Sequence, residues 1–212
     1  MLDPMPVPAK ERQEPRLVFG VMGAASGQMS PEALELAYRL GGAIARAGCT
    51  VLTGACPGLP HQAVLGAKAE GGLTVGISPA AGRTEHSARY GSPLDCLDFV
   101  VYTGAGLMGR EVPNVLSSDV VVIVGGRSGT LGEFAIAYEE GKLIGVLEGT
   151  GGITPGIASL VALCDKPTGA EVLHDADPQA LVSRLLARFA QRVPGAERRN
   201  TEALGSEASV RA

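Results

Sequence analysis

"VVVIVGGRSGTLGEFAIAYEEGK", from Val120 to Lys142, runs five β-branched residues into a turn of small residues and then into a helix-forming stretch. A short apolar run without alternation is what a strand covered on both faces looks like, the usual situation in a parallel sheet. The glycines fall where that strand gives way to the helix. Missing side chains there let backbone N–H groups approach a ligand, and the helix start offers unsatisfied donors and the positive end of its dipole to an anion. Gly125, Gly126, Ser128, Gly129 and Thr130 are therefore expected to form a phosphate cradle, with the Ser128 and Thr130 hydroxyls available to it; Arg127 among them either adds a phosphate contact or crowds the cradle. Glu133, three residues after Thr130, would share a helix face with it beside the crevice.

The pattern repeats along the chain. Apolar runs at 16–23, 50–54, 73–79, 98–104, 120–126 and 142–149 read as strands, and "AEVLHD" at 170–175 as a shorter seventh. Between them lie helical patterns, including "PEALELAYRLGGAIARAG" after Ser30, "LPHQAVLGAKAEGG", and stretches at 110–118, 129–141, 155–163 and 177–191. Ser30 with Pro31 makes an N-cap and first-turn pair, and Gly48 a stop. Strands alternating with helices predict an α/β fold: a Rossmann-like, doubly wound, mostly parallel sheet flanked by helices. The expected organisation is a flexible segment over 1–15, one nucleotide-binding domain over 16–192, and a disordered tail over 193–212, where little could be buried.

Four strands end in glycine loops on one sheet edge: "GVMGAASGQ", "TGACPGLP", "YTGAGLMGRE" and "GGRSGTLGE". In an open parallel sheet, ligands bind beyond the carboxyl ends of the strands, near the reversal of strand order. Gly23, Ser26, Gly54 and Gly58 thus join the cradle residues as candidate nucleotide contacts. A sharp strand-to-helix turn explains any one such loop equally well; their convergence favours a ligand. Neither GxxxxGK[ST] nor GxGxxG is present, which weakens simple ATPase and NAD-enzyme readings.

Bulk composition narrows the classes further. A net charge of −4 and a pI near 5.4 argue against nucleic acid in bulk and against anionic membranes as partners. Aromatics make up 4% with no Trp, so Val, Leu, Ile and Ala must fill the core. Thirty glycines without a low-complexity tract imply tight turns and close backbone approaches. The four cysteines, Cys49, Cys56, Cys96 and Cys164, form no CxxC pair or His cluster, so no metal site and no disulfide framework is expected, and no cofactor is called for. No apolar run is long enough to span a bilayer and the first 15 residues lack an apolar signal core, which points to the cytoplasm.

The ordered motifs resemble the LONELY GUY (LOG) proteins, long labelled lysine decarboxylases, within a wider Rossmann-like superfamily. Against the family pattern PGGxGTxxE, "GGRSGTLGE" keeps Gly126, Gly129, Thr130 and Glu133, while Gly125 stands for the Pro and Arg127 for the second Gly. Arg110 and Asp119 reproduce the family's Arg nine residues before an Asp. "GACPGLPH" keeps Gly54, Gly58 and Leu59 of GGxxGLMG and departs at Ala55, Pro60 and His61. The resemblance implies a homodimer and a phosphoribohydrolase that cuts the N-glycosidic bond of a nucleoside 5′-monophosphate, with Arg110 and Glu133 as its catalytic pair. The "VGGxxGTLxE" form is similar to a second branch that includes molybdenum-cofactor carrier proteins, which bind a phosphate-bearing pterin or nucleotide without necessarily turning it over. A third relative, a DNA-processing protein, is disfavoured by the acidic balance.

Glu133 has a plainer reading as a first-turn acid complementing the helix dipole or pairing with Arg110. His61 reads as packing at a helix start, with a ligand contact as its alternative. The loop holding Arg83, Glu85, His86 and Arg89 reads as a solvated polar segment, with a base pocket or lid as the alternative. His174 has no evident partner, and Cys56 lacks a companion base and reads as packing. Lys10, Lys68, Lys142 and Lys166 are the only lysines, none in a site-like context, so a pyridoxal-phosphate decarboxylase is not supported.

Overall fold

The computed structural model describes residues 15–192. The expectations for the N-terminal segment and for the tail from 193 lie outside the described residues. Seven strands form one sheet: β1 (Val18–Gly23), β2 (Thr50–Thr53), β3 (Thr74–Ser78), β4 (Phe99–Tyr102), β5 (Val120–Val124), β6 (Leu143–Leu147) and β7 (Glu171–Asp175). Their order is β4-β3-β2-β1-β5-β6-β7 and every neighbouring pair is parallel. The doubly wound sheet predicted from the sequence is present, including the short seventh strand.

The chain winds outward from β1 to β4, returns to the middle as β5, and winds out the other way to β7. Right-handed crossovers in opposite directions place the connecting helices on opposite faces. Helices α1 (Pro31–Arg46), α2 (Leu59–Ala69) and α8 (Pro178–Arg192) cover one face. The other is covered by α5 (Glu111–Leu116), α6 (Ser128–Glu139) and α7 (Ile157–Cys164). Period-2 alternation divides β5 between them: Val120, Val122 and Val124 join Leu40, Ile44 and Leu181, while Val121 and Ile123 join Phe134, Ala137 and Ile157. That is why the run has to be apolar throughout.

Helix signals act where expected. The Ser30 hydroxyl accepts from Ala33 N–H at 3.1 Å with Pro31 at the first position, and Gly48 ends the helix with φ +73°. The helix expected over 110–118 is α5, and a short α4 (Gly106–Gly109), not expected from the sequence, precedes it. One segment departs from expectation. The segment read as a solvated loop contains a helix, α3 (Arg83–Ala88), and His86 on it is fully buried. His86 Nδ1 lies 2.8 Å from Ser78 Oγ and Nε2 lies 3.2 Å from the Pro93 carbonyl, so the ring pins α3 to the end of β3. Its six residues, five of them polar, carry no apolar period, so only tertiary contacts reveal this helix. No helix among the described residues is long and apolar enough to cross a membrane.

Candidate functional site

Strand order reverses between β1 and β5, and their carboxyl ends close on each other. Ala24 N–H donates to the Val124 carbonyl at 3.2 Å, and a Cβ on Gly23 would overlap that same oxygen. The β2–α2 loop is drawn to the same point: Leu59 N–H donates to the Ala24 carbonyl at 2.9 Å, and Gly58, at φ +80°, leaves no room there for a side chain. Gly23, Gly58 and the start of the Gly125 loop are thus brought together at the switch point.

Gly125 (φ +60°) and Gly126 (φ +92°) turn the chain from β5 into α6. Gly125 N–H donates to Thr150 Oγ1 at 2.8 Å, that hydroxyl donates to the Leu147 carbonyl at 2.6 Å, and Ile153 N–H donates to the Gly126 carbonyl at 3.1 Å. The loop after β6 therefore braces the cradle from behind. Its "GTGG", residues 149–152, is a fifth glycine loop on the same edge, legible in the sequence by the same signal as the other four.

Helix α6 opens with no side-chain cap, which leaves the first-turn N–H groups of Ser128, Gly129 and Thr130 without an intrahelical acceptor. Ser128 is exposed, whereas the Thr130 side chain folds over the bare Cα of Gly126 and is 4% exposed. Arg127 stays on the surface and reaches across the crevice mouth, where Nη2 donates to Ser26 Oγ at 2.7 Å. It clasps the loops that follow β1 and β5.

Beside this turn lies a buried polar cluster. Arg110 Nη1 donates to Glu133 Oε1 at 3.0 Å, with the two side chains 10% and 6% exposed. The guanidinium rests on the bare Cα of Gly54, where any Cβ would strike it. Asn114 Nδ2 donates to the same Glu133 oxygen at 3.2 Å and also approaches Met22 Sδ at 3.0 Å. Arg110 Nε and Asn114 Oδ1 are enclosed without partners among the described residues. Burial pushes the Glu133 carboxyl above its ordinary range, while Arg110 and Asn114 pull it back. Glu111, 5% exposed, is also pushed up, by burial first and by the Glu133 charge second. Asn114 and Glu111 escaped the sequence reading.

The remaining candidates lie apart from this chemistry. His61 Nε2 is 3.3 Å from Asp95, and His174 Nδ1 is 3.7 Å from Glu148. Burial raises the Cys56 thiol to about 11 despite the pull of Arg110, so it is not a ready thiolate. Lys68 pairs with Asp98, Lys142 donates to the Ser118 carbonyl and Lys166 pairs with Glu139. What the crevice offers is a row of backbone donors flanked by a clasping cation and a carboxylate cluster.

A family model described as the SLOG cluster4 family matches residues 16–182. An uncharacterized protein of Archaeoglobus fulgidus is 37% identical over 132 residues, spanning 61% of this chain and 79% of its own length. The structure of the molybdenum cofactor binding protein from Rippkaea orientalis is similar with a TM-score of 0.67 at 30% identity, covering 82% of this chain and 98% of that one. The molybdenum cofactor carrier protein of Chlamydomonas reinhardtii gives a TM-score of 0.65 at 34% identity, covering 81% and 99%.

Proposed function

The chain belongs to the SLOG cluster4 family, and from that premise we propose that it binds a phosphorylated small molecule of nucleotide or pterin type at the first turn of α6. One observation carries this reading: the uncapped N-terminus of α6 opens at the β1/β5 switch point, where the backbone is held by the loops after β1, β2 and β6. The kinship with a molybdenum cofactor binding protein and a molybdenum cofactor carrier protein supports a ligand of that chemistry.

Carriage without turnover is the simpler form of this function. The Glu133 carboxylate is engaged by Arg110 and Asn114, so the resting pair serves the architecture before any chemistry. Hydrolysis of a nucleoside 5′-monophosphate is the second reading, favoured by the adjacency of Arg110 and Glu133 beside the cradle. Breaking the N-glycosidic bond builds positive charge on the ribose ring. Glu133 would stabilise that charge and orient the attacking water, while Arg110 would offset negative charge on the departing base.

Adenosine monophosphate tests both. At 100 times its dissociation constant a bound ligand stabilises by about 2.7 kcal/mol, which raises the melting temperature of a domain this size by about 5 °C or more. Stabilisation together with release of adenine, lost in Glu133→Gln, supports the hydrolase; stabilisation without adenine supports the carrier. If neither adenosine monophosphate nor a phosphorylated pterin shifts the melt, the binding proposal is abandoned.

The working unit in this proposal is a homodimer, as the LOG resemblance implies. Leu107, Met108, Val112 and Leu116 on α4 and α5, with Leu131 on the neighbouring α6, are 37–69% exposed and supply an apolar face for a second copy. Light scattering should give a mass twice 21.6 kDa, and Met108→Glu with Val112→Glu should yield monomer. A wild-type monomer at micromolar concentration would remove this part.

A further inference from the structure

Glu111 is the one carboxylate at the site that the protein leaves without a partner. Its neighbour Arg110 is turned to Glu133, and the Asn114 amide nitrogen is committed to Glu133 and Met22. Among the described residues nothing donates to Glu111, although it is 5% exposed. Its oxygens, unlike Arg110 Nε and Asn114 Oδ1, are not fully enclosed, so solvent touches them and a ligand hydroxyl would take that solvent's place.

The placement of this carboxyl is specific. Oε1 lies 3.5 Å from where a Cβ of Gly129 would stand, and Oε2 lies 2.7 Å from the same point on Gly132. Helix α6 presents only backbone there, and the Glu111 head sits flush on the flank of the turn whose open amides form the cradle. The acceptor on its flank thus lies beside the first turns of the helix whose end carries the donors. An isolated phosphate would gain from the amides and be repelled by Glu111. A phosphate ester carrying hydroxyl groups satisfies both, with the phosphate on the amides and the hydroxyls donating to the carboxylate.

We infer that Glu111 receives hydroxyl groups of the ligand's sugar, so that the site selects a phosphorylated sugar with free vicinal hydroxyls, a ribonucleotide rather than its deoxy counterpart. This rests on the reading that the first turn of α6 holds the phosphate. A hydroxyl donating to a buried carboxylate accounts for about tenfold in affinity or more. Glu111 then belongs to the binding machinery while contributing nothing favourable to the fold.

The test measures dissociation constants of adenosine monophosphate, its 2′-deoxy and 2′,3′-dideoxy forms and inorganic phosphate, with thermal melts, for wild type, Glu111→Gln and Glu111→Ala. Wild type should prefer the ribonucleotide over the dideoxy form about tenfold or more. Glu111→Ala should bind the two equally, lose about tenfold for the ribonucleotide, and hold inorganic phosphate at least as well. Both variants should melt no lower than wild type, a result that a merely structural Glu111 would not give. Equal binding of ribo and dideoxy forms by wild type, or discrimination surviving in Glu111→Ala, overturns the inference and leaves the binding proposal standing. No binding of any of these probes removes both.

Discussion

Arg110→Met is expected to lower folding stability by about 3 kcal/mol at pH 7 and by progressively less as the pH falls. Removing one partner of a buried ion pair leaves the other uncompensated, typically at about 3–5 kcal/mol. Here the loss has a ceiling, because Glu133 can take up a proton. Protonating a glutamate of ordinary pKa 4.5 at pH 7 costs about 3 kcal/mol, and the neutral acid needs no cation. The sign follows from linkage. With Arg110 gone, only the Asn114 amide still opposes burial and the folded pKa of Glu133 rises further above 4.5, so the penalty is absent below that value and grows as pH climbs toward the folded pKa. Glu133→Met strands a guanidinium that cannot lose its proton, so its deficit should persist at acidic pH. Replacing both by apolar residues of similar volume should recover most of the stability. Urea denaturation at pH 5 and pH 7 reads all three. A pH-independent Arg110→Met would mean that the Glu133 carboxylate finds water or another donor once Arg110 is gone.

This asymmetry bears on how the site reads from sequence alone. The two residues, 23 apart in the chain, were legible as a pair only through motif spacing, whereas their burial against Gly54 and Asn114 is a tertiary fact. The strands were legible because a buried parallel strand must be apolar on both faces, as β5 is, and the glycine loops because positive φ at Gly125 and Gly126 excludes most side chains. Helix α3 was not, since what holds it, the contacts of its His86 with Ser78 and the Pro93 carbonyl, lies outside its own six residues. Glu111 was hidden for a related reason. Beside an arginine in a helical pattern it looks like a solvated charge, and only the packing of α5 on the bare flank of α6 turns it into an unpartnered acid.

Glycine away from the crevice predicts the second large effect. Gly66→Ala is expected to destabilise the protein by about 3 kcal/mol even though alanine is the better helix former by about 1 kcal/mol. A Cβ at Gly66 on α2 would overlap the Tyr38 carbonyl of α1, and one at Gly41 on α1 would overlap the Ala63 carbonyl of α2. Backbone is packed on backbone, and no flexible side chain can yield; the helices must separate. Gly156 makes the control, having negative φ (−89°) and nothing within 4 Å of an added Cβ. Gly156→Ala should raise stability by about 0.5 kcal/mol through the unfolded chain alone. Because one separation of α1 and α2 relieves both overlaps, Gly41→Ala with Gly66→Ala should lose less than the sum of the single variants, a coupling that urea titration detects. The two helices carry the loops ending at Ser30 and Gly58 into the crevice, so the same separation spreads its walls. Ligand affinity should fall in Gly66→Ala and hold in Gly156→Ala; full affinity in both would mean that the crevice is set by β1 and β5 alone.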